Sequence, residues 1–351
     1  MKKLANYVSA AVYGDGGVFG VGSQQRVISE KSHWEALVAV AAAWKVPSTS
    51  EGVFDIVSKN YKQFDTNLIK TVIAEIQTGD CLIFDGHFYE PDRYSRNALY
   101  YNYLGASPTE FQENLNRSSV CIVGCGGIGN HVSSILTGAG VGKITLVDDD
   151  LVEISNLTRQ VLFCEADVGQ KKTAVLAREL RKRNSSITVE TLDLRICTAS
   201  DVSELPQSDL IILSADYPSN LIDWINSECV KRKWAYVNAG YANDISVVGP
   251  FYVPGKTGCF RCRPVAPTLC DDAIYPMRDE LAAINHGFKP ATFAPVNNIA
   301  AAIAASDSIK YLGKHGEILS LNRRLGIHSR SIKIEVQDLL KSEDCHVCGT
   351  A

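Results

Sequence analysis

No apolar run in this 351-residue chain approaches the ~20 residues that a membrane-spanning helix needs; the longest, Ala36 to Trp44, falls far short. A charge bias is missing too. Lys and Arg number 35 against 39 Asp and Glu, a net charge of -4, so nothing global points to nucleic acid or an anionic membrane as partner. There is no collagen-like, heptad or solenoid period and no low-complexity tract, which excludes fibrous and repeat architectures. The opening "MKKLANYVSAAVYGDGG" is broken by Asn, Ser and Gly before a signal-peptide core forms, and the expected location is the cytoplasm. What remains, with 46% hydrophobic and 21% charged residues, is an ordinary globular chain with room for one large core and an appendage, or for two domains.

The eleven cysteines are an odd count, and several, such as Cys121 and Cys164, sit in apolar runs where a thiol serves as a small hydrophobe. Four differ. "CFRC" pairs Cys259 with Cys262, and "CHVC" pairs Cys345 with Cys348 near the C-terminus. In a chain without a secretory signal, two C-x-x-C pairs read as a tetrahedral zinc site more readily than as redox pairs or disulfides. A closed four-thiolate site is structural, so this one would tie the tail to the body and leave catalysis elsewhere.

Residues 1–88 form a distinct module. A Gly-rich turn, "GDGGVFGVG", lies between two strand-like pieces, followed by a helical run that Pro47 stops, helices over Val53–Asn60 and Thr66–Gln77, and a short strand "CLIF". This is the outline of a small winged-helix-like module, equally compatible with binding and with packing or dimerisation. From residue 89 onward a second domain is expected. Its β-branched runs "SVCIV", "KITLV", "ITVETLDL", "DLIILS" and "AYVNAG" alternate with helical segments, which implies an α/β, Rossmann-like, mostly parallel sheet with ligands at the carboxyl ends of its strands.

The first of those strands runs into "VGCGGIGN", where Gly124, Gly126 and Gly129 fit G-x-G-x-x-G, with Gly127 beside them. Such a loop brings backbone amides and a helix N-terminus up to phosphate. The second strand ends in "LVDDDLVEISNLTRQ", where Asp148 stands where a carboxylate receives ribose hydroxyls, in NAD and ATP sites alike. Beyond it, Asn156, Arg159 and Gln160 suit triphosphate oxygens better than a hydride donor, although Arg159 could equally serve a surface ion pair. Lys171 and Lys172 open a helix, where the dipole disfavours cations unless an anion lies near. Asp216, in "LIILSADYPSN", shares the glycine loop's rim and suits a magnesium ligand or a helix cap. Arg93 and Arg96 of "RYSRN" are candidates to neutralise transition-state charge.

Taken in order, "GCGGIGN", "DDDLVEISNLTRQ", "VGQKK", "SADYPSN", "KPATFAPVNN" and the paired C-x-x-C motifs resemble the adenylating domain of the ubiquitin-activating, ThiF/MoeB-like superfamily over roughly residues 90–351. Within it, "NLTRQVLF", "YVPGKTGC" and "RYSRN" bring the whole chain nearest to the microcin C-type peptide nucleotidyltransferases. The resemblance implies a nucleotide loop of Gly124, Gly126, Gly127 and Gly129, with Asp148 and Asp150 on the ribose and magnesium side. Asn156, Arg159 and Lys172 would hold the triphosphate, Gln160 would lie at the nucleotide, and Asp216 would bind Mg2+. Arg96 would reach the nucleotide of the other protomer in a homodimer whose two sites are completed in trans. Residues 1–88 would clamp a short ribosomally made precursor peptide ending in Asn. ATP is the expected co-substrate, with CTP as the alternative, and neither nucleic acid nor membrane is an expected partner. The runner-up activity is adenylation of the C-terminal glycine of a ubiquitin-like sulfur carrier. An NAD-dependent oxidoreductase, the reading from another class, would leave Arg159, Lys172 and Asp216 without a role.

Overall fold

The computed structural model describes residues 1–84, 92–262, 277–286 and 291–349. It divides into a first unit, Met1–Gln112, and a second, Glu113–Ala351. The boundary expected at residue 88 falls within 85–91, outside the described residues.

In the first unit, β1 (Lys2–Leu4) pairs antiparallel with the distant β5 (Leu82–Phe84), and β2 (Ser9–Tyr13), β3 (Gly16–Gly20) and β4 (Arg26–Ile28) form an antiparallel sheet of their own. Three helices, α1 (Lys31–Ala43), α2 (Ser50–Asn60) and α3 (Thr66–Thr78), bury Leu37, Val40, Val53, Val57, Ile69, Val72 and Ile76 in one cluster with Trp44. Side chains set two of the helix starts: Thr49 Oγ1 accepts the Gly52 N–H at 3.1 Å, and Asp65 accepts the Asn67 N–H at 3.0 Å. The Gly-rich segment expected as a turn is mostly strand, because only residues between Tyr13 and Gly16 turn and the glycines continue into β3. The reason is packing. A Cβ on Gly17 would stand 2.4 Å from the Trp34 ring, so the strand lies flat against the indole only without a side chain there.

The division between the units falls inside α5 (Pro108–Arg117), which follows α4 (Ser95–Tyr103). The second unit is built on β6 (Ser119–Val123), α6 (Gly127–Ala139), β7 (Lys143–Val147), α7 (Lys172–Arg183), β8 (Thr188–Leu192), β9 (Leu210–Leu213), α8 (Leu221–Arg232), β10 (Tyr236–Ala242) and β11 (Ile245–Tyr252). It continues through α9 (Arg278–Asn285), α10 (Ala294–Leu312), β12 (Arg323–His328) and β13 (Ile334–Asp338). The eight strands form one sheet in the order β13-β12-β11-β10-β9-β6-β7-β8, parallel from β10 to β8 and antiparallel from β10 to β13. The five apolar runs read from the sequence are its five parallel strands. Because β7 and β9 lie on opposite sides of β6, the chain reverses direction across the sheet there, and the crevice at the strand ends of β6 and β9 is where this architecture receives ligands.

No helix among the described residues is long and apolar enough to cross a membrane. Gly17→Val is expected to push against Trp34 and to cost the first unit about 1–3 kcal/mol. A lower melting temperature by circular dichroism checks this, and an unchanged one would show that the indole has room to move.

Candidate functional site

The crevice between β6 and β9 is a cleft of about 270 Å³, lined by Gly124, Gly126, Asp148, Asp150 and Asp216 among others. The glycine spacing has a steric cause. Gly124 has φ 95°, and a Cβ there would stand 2.7 Å from the backbone N of Ala215; one on Gly129 would stand 1.9 Å from the Gly124 carbonyl oxygen. Only without these side chains can α6 start directly behind the strand and turn its open N–H groups towards the cleft.

Asp148 seals the other side of the loop. Its Oδ2 accepts the Cys125 N–H at 2.6 Å and its Oδ1 accepts the Asp150 N–H at 2.9 Å. Burial raises the carboxyl pKa, against the lowering effect of those two N–H groups and of Lys172. A native pKa above the unfolded one means that this group's contribution to stability grows as the pH falls through the native value and is lost as the pH rises. Cys125, inside the loop, is fully buried with its thiol pushed well up by desolvation, which makes it a packing residue rather than a nucleophile.

Lys172 is the first residue of α7 and is buried, with its Nζ 2.7 Å from Asp150 Oδ2. The anion expected near this helix start is thus, among the described residues, a carboxylate of the same chain. Lys171 pairs instead with Asp193 at 2.9 Å and with the Asp149 carbonyl. Asn156 is buried and caps its short helix, its Oδ1 accepting the Glu153 N–H at 3.1 Å. Arg159 donates to the Ser155 carbonyl at 3.1 Å while its Cδ passes close to Gly127, and Gln160 lies buried beside Gly126. Arg96 is exposed in the first turn of α4, in the other unit.

Sequence reasoning missed several contributors. Leu194–Cys197, just after β8, lines the same cleft. A second cleft of about 400 Å³ opens from the first, sharing Ser214, Ala215, Asp216, Pro218 and Leu221 with it. Asn238, Tyr241, Phe260 and Arg324 line this second cleft. Arg324 lies over the Phe260 ring at 5.2 Å and donates to Gln337 at 3.2 Å; burial brings its pKa down to about 10, which leaves it cationic at neutral pH. Nothing in "NRRLGIH" marks this residue, because its place depends on the antiparallel extension of the sheet.

The four cysteines of the C-x-x-C pairs converge from the middle of the second unit and its C-terminal tail. Their sulfurs all lie within 4.8 Å of one another, with Cys259–Cys345 at 3.7 Å and Cys262–Cys348 at 3.3 Å. Those distances exceed a disulfide bond and match the roughly 3.8 Å between sulfurs bound tetrahedrally to zinc. The thiol of Cys345 sits at about 7, the desolvation that would raise it being outweighed by the N–H groups of Cys348 and Val347. Asn226 anchors the knuckle to the sheet, its Oδ1 accepting from both the Phe260 N–H and the Tyr236 hydroxyl. The cluster therefore fits a structural zinc.

Residues 94–348 match the ThiF family. The chain belongs to the ThiF family. Like other members, this ThiF-family chain is a nucleotidyltransferase, and its fold is that of the E. coli protein MccB, 43% identical over at least 99% of both chains. MccB has been solved with MccA-N7isoASN, with succinimide and with ATP, at TM-scores of 0.91, 0.89 and 0.90. Among curated relatives, the Thermus thermophilus sulfur carrier protein adenylyltransferase is 28% identical over 267 residues, 74% of this chain and 91% of its own length. The Arabidopsis thaliana adenylyltransferase and sulfurtransferase MOCS3 is 28% identical over 269 residues, 75% of this chain, which spans only 54% of that protein.

The purified protein is expected to carry one zinc per chain, and Cys262→Ser and Cys348→Ser each to lose most of it and to melt at lower temperature. Elemental analysis alongside the melt checks this; full zinc content in both variants would show that the metal is held elsewhere.

Proposed function

We propose that this ThiF-family enzyme is a peptide nucleotidyltransferase of the microcin C type, acting on a short ribosomally made precursor peptide that ends in Asn. The observation that carries the reading is likeness over the full chain, first unit included, to a protein solved with ATP and with N-formylated MccA. In this reading residues 1–88 clamp the peptide and residues 89–351 transfer the nucleotide.

A carboxylate is a poor electrophile, and joining it to a nucleoside monophosphate makes a mixed anhydride with release of pyrophosphate. The protein's part is positioning and charge neutralisation. The N–H groups at Gly126, Gly127 and Gly129 and the side chains of Asn156, Arg159, Gln160 and Lys172 hold the triphosphate, and Asp148 and Asp150 receive the ribose side. Lys172 exchanges its carboxylate partner for phosphate oxygen, a like-for-like swap of anions that releases Asp150. Asp216 would hold Mg2+, whose charge would offset that of the phosphate oxygens. Asp216 stands where the two clefts meet, so a peptide carboxylate in the second cleft, facing Arg324, lies beside the phosphate to be attacked. The side-chain amide nitrogen of the terminal Asn then displaces the nucleoside monophosphate from the activated carbonyl and closes a succinimide; that nitrogen, on losing its proton, attacks the α-phosphorus of a second nucleoside triphosphate, forming the N–P bond as pyrophosphate leaves. That E. coli MccB has been solved with succinimide supports this order. The enzyme is proposed to act as a homodimer, with Arg96 of each protomer completing the other's site.

The second reading, adenylation of a sulfur carrier's terminal glycine, is favoured by the names of two curated sulfur-carrier adenylyltransferases, which align with 74% and 48% of this chain. It gives the remainder no task.

Purified protein with magnesium, each of the four nucleoside triphosphates and a peptide ending in Asn is expected to release pyrophosphate and to add one nucleoside monophosphate to the peptide, with ATP or CTP as donor. An Ala-ended control should gain none. Activity only with a Gly-Gly-tailed carrier protein would establish the second reading instead. Asp216→Ala is expected to lower the rate by about a hundredfold or more. Mixing inactive Arg96→Ala with inactive Asp216→Ala should restore up to about a quarter of wild-type activity, since half the dimers then hold one intact site. No recovery after subunit exchange would show that each site is complete within one chain.

A further inference from the structure

Gly240 is a glycine that the protein's own packing does not require. It stands within β10, its φ is not positive, and a Cβ built on it would meet no atom of the described residues within 4 Å, its chain neighbours apart. A strand glycine in such a place lowers stability by about 0.5–1 kcal/mol against alanine. What it leaves is room. Gly240 pairs with Val247 of β11 and Val247 with Gly326 of β12, so the three share one face of the sheet, and Arg324, two residues before Gly326, lies on that face too. Gly240, Val247 and Arg324 all line the second cleft. The charge in this cleft is as unanswered as the space. Arg324 is half-buried, and its partners among the described residues are neutral: the Gln337 carboxamide oxygen at 3.2 Å and the Phe260 ring at 5.2 Å. Burial lowers its pKa only to about 10, so the cation persists at neutral pH. A half-buried guanidinium without an anion is unfavourable, and its fork of N–H donors matches a carboxylate.

We propose that Gly240 and Arg324 together select the peptide's terminal residue: Arg324 takes its free α-carboxylate before activation, and the gap over Gly240 takes its side chain. The carboxylate supplies the anion that Arg324 lacks. The side chain fills the space that Gly240 keeps clear, and a branched residue at position 240 would close it. A peptide whose terminal carboxyl group is an amide brings no anion to Arg324, and one that ends in Gly puts nothing over Gly240. Because the carboxylate loses its charge on joining phosphate, Arg324 acts on capture of the peptide rather than on the second nucleotide transfer. This inference rests on the peptide nucleotidyltransferase reading and names what that site accepts at the peptide's end.

The test is titration calorimetry on the full-length protein with three peptides of one sequence, ending in Asn, in Asn with its α-carboxyl group amidated, and in Gly. Arg324→Gln is expected to weaken binding of the Asn-ended acid by about tenfold or more, and to bind the amidated peptide within about twofold of wild type. Gly240→Val is expected to weaken the Asn-ended acid by about tenfold while binding the Gly-ended acid within about twofold of wild type. It should also melt no lower than wild type, since valine suits a strand with open space beside it. A lower melting temperature for Gly240→Val would show that the fold needs the glycine and would overturn the proposal. Equal losses for all three peptides in either variant would assign that residue a structural role and overturn it too, as would unchanged binding of the Asn-ended acid. A wild-type chain that binds none of the three peptides would refute the peptide reading itself, an outcome distinct from failure of the variants alone.

Discussion

The nearness of α6 to the end of β6 is the constraint from which the rest of the second unit follows. A backbone carbonyl at Gly124 and the Cα of Gly129 approach too closely for any side chain at Gly129, and Ala215 presses on Gly124 from β9's side. That contact places a helix N-terminus, rather than a side chain, at the crevice where the sheet reverses. Two side chains follow from that placement: Asp148 accepts the loop's Cys125 N–H, and Lys172 is paired with Asp150.

The carboxylate that Lys172 uses also resolves a conflict visible in the linear sequence. Two lysines at a helix start are unfavourable against the dipole, and the chain supplies Asp150 and Asp193 to each of them from the ends of neighbouring strands. The positive charge is thereby kept in a buried place without a bound nucleotide, at the cost of competing with one for it.

Much of this was legible from residue order because local chemistry and tertiary packing agree in the parallel half of the sheet. Runs such as "SVCIV" and "KITLV" have nowhere to go but a strand buried on both faces, and the amphipathic "KKTAVLARELRKRN" has one apolar face to bury. The first sheet was harder. Glycines in "GDGGVFGVG" read as turn residues, yet Gly17 is a strand residue because an indole from α1 needs the space. The second cleft was not legible at all. Arg324 reaches it from β12, Phe260 from the cysteine knuckle and Tyr241 from β10, and no short-range spacing relates the three. The cysteine pairs were the exception among long-range features, since two C-x-x-C motifs declare a common partner whatever separates them.

The knuckle that joins those pairs does more than anchor the tail. With a metal bound to the four sulfurs, the chain from Cys259 to Cys348 becomes a closed ring, threaded through α9, α10, β12 and β13. A single break in the backbone anywhere between Cys262 and Cys345 would open that ring without releasing either end. Arg324, which lines the second cleft, belongs to it. The integrity of the second cleft therefore depends on coordination bonds as much as on peptide bonds, and an enzyme nicked in this stretch stays in one piece for as long as its metal does.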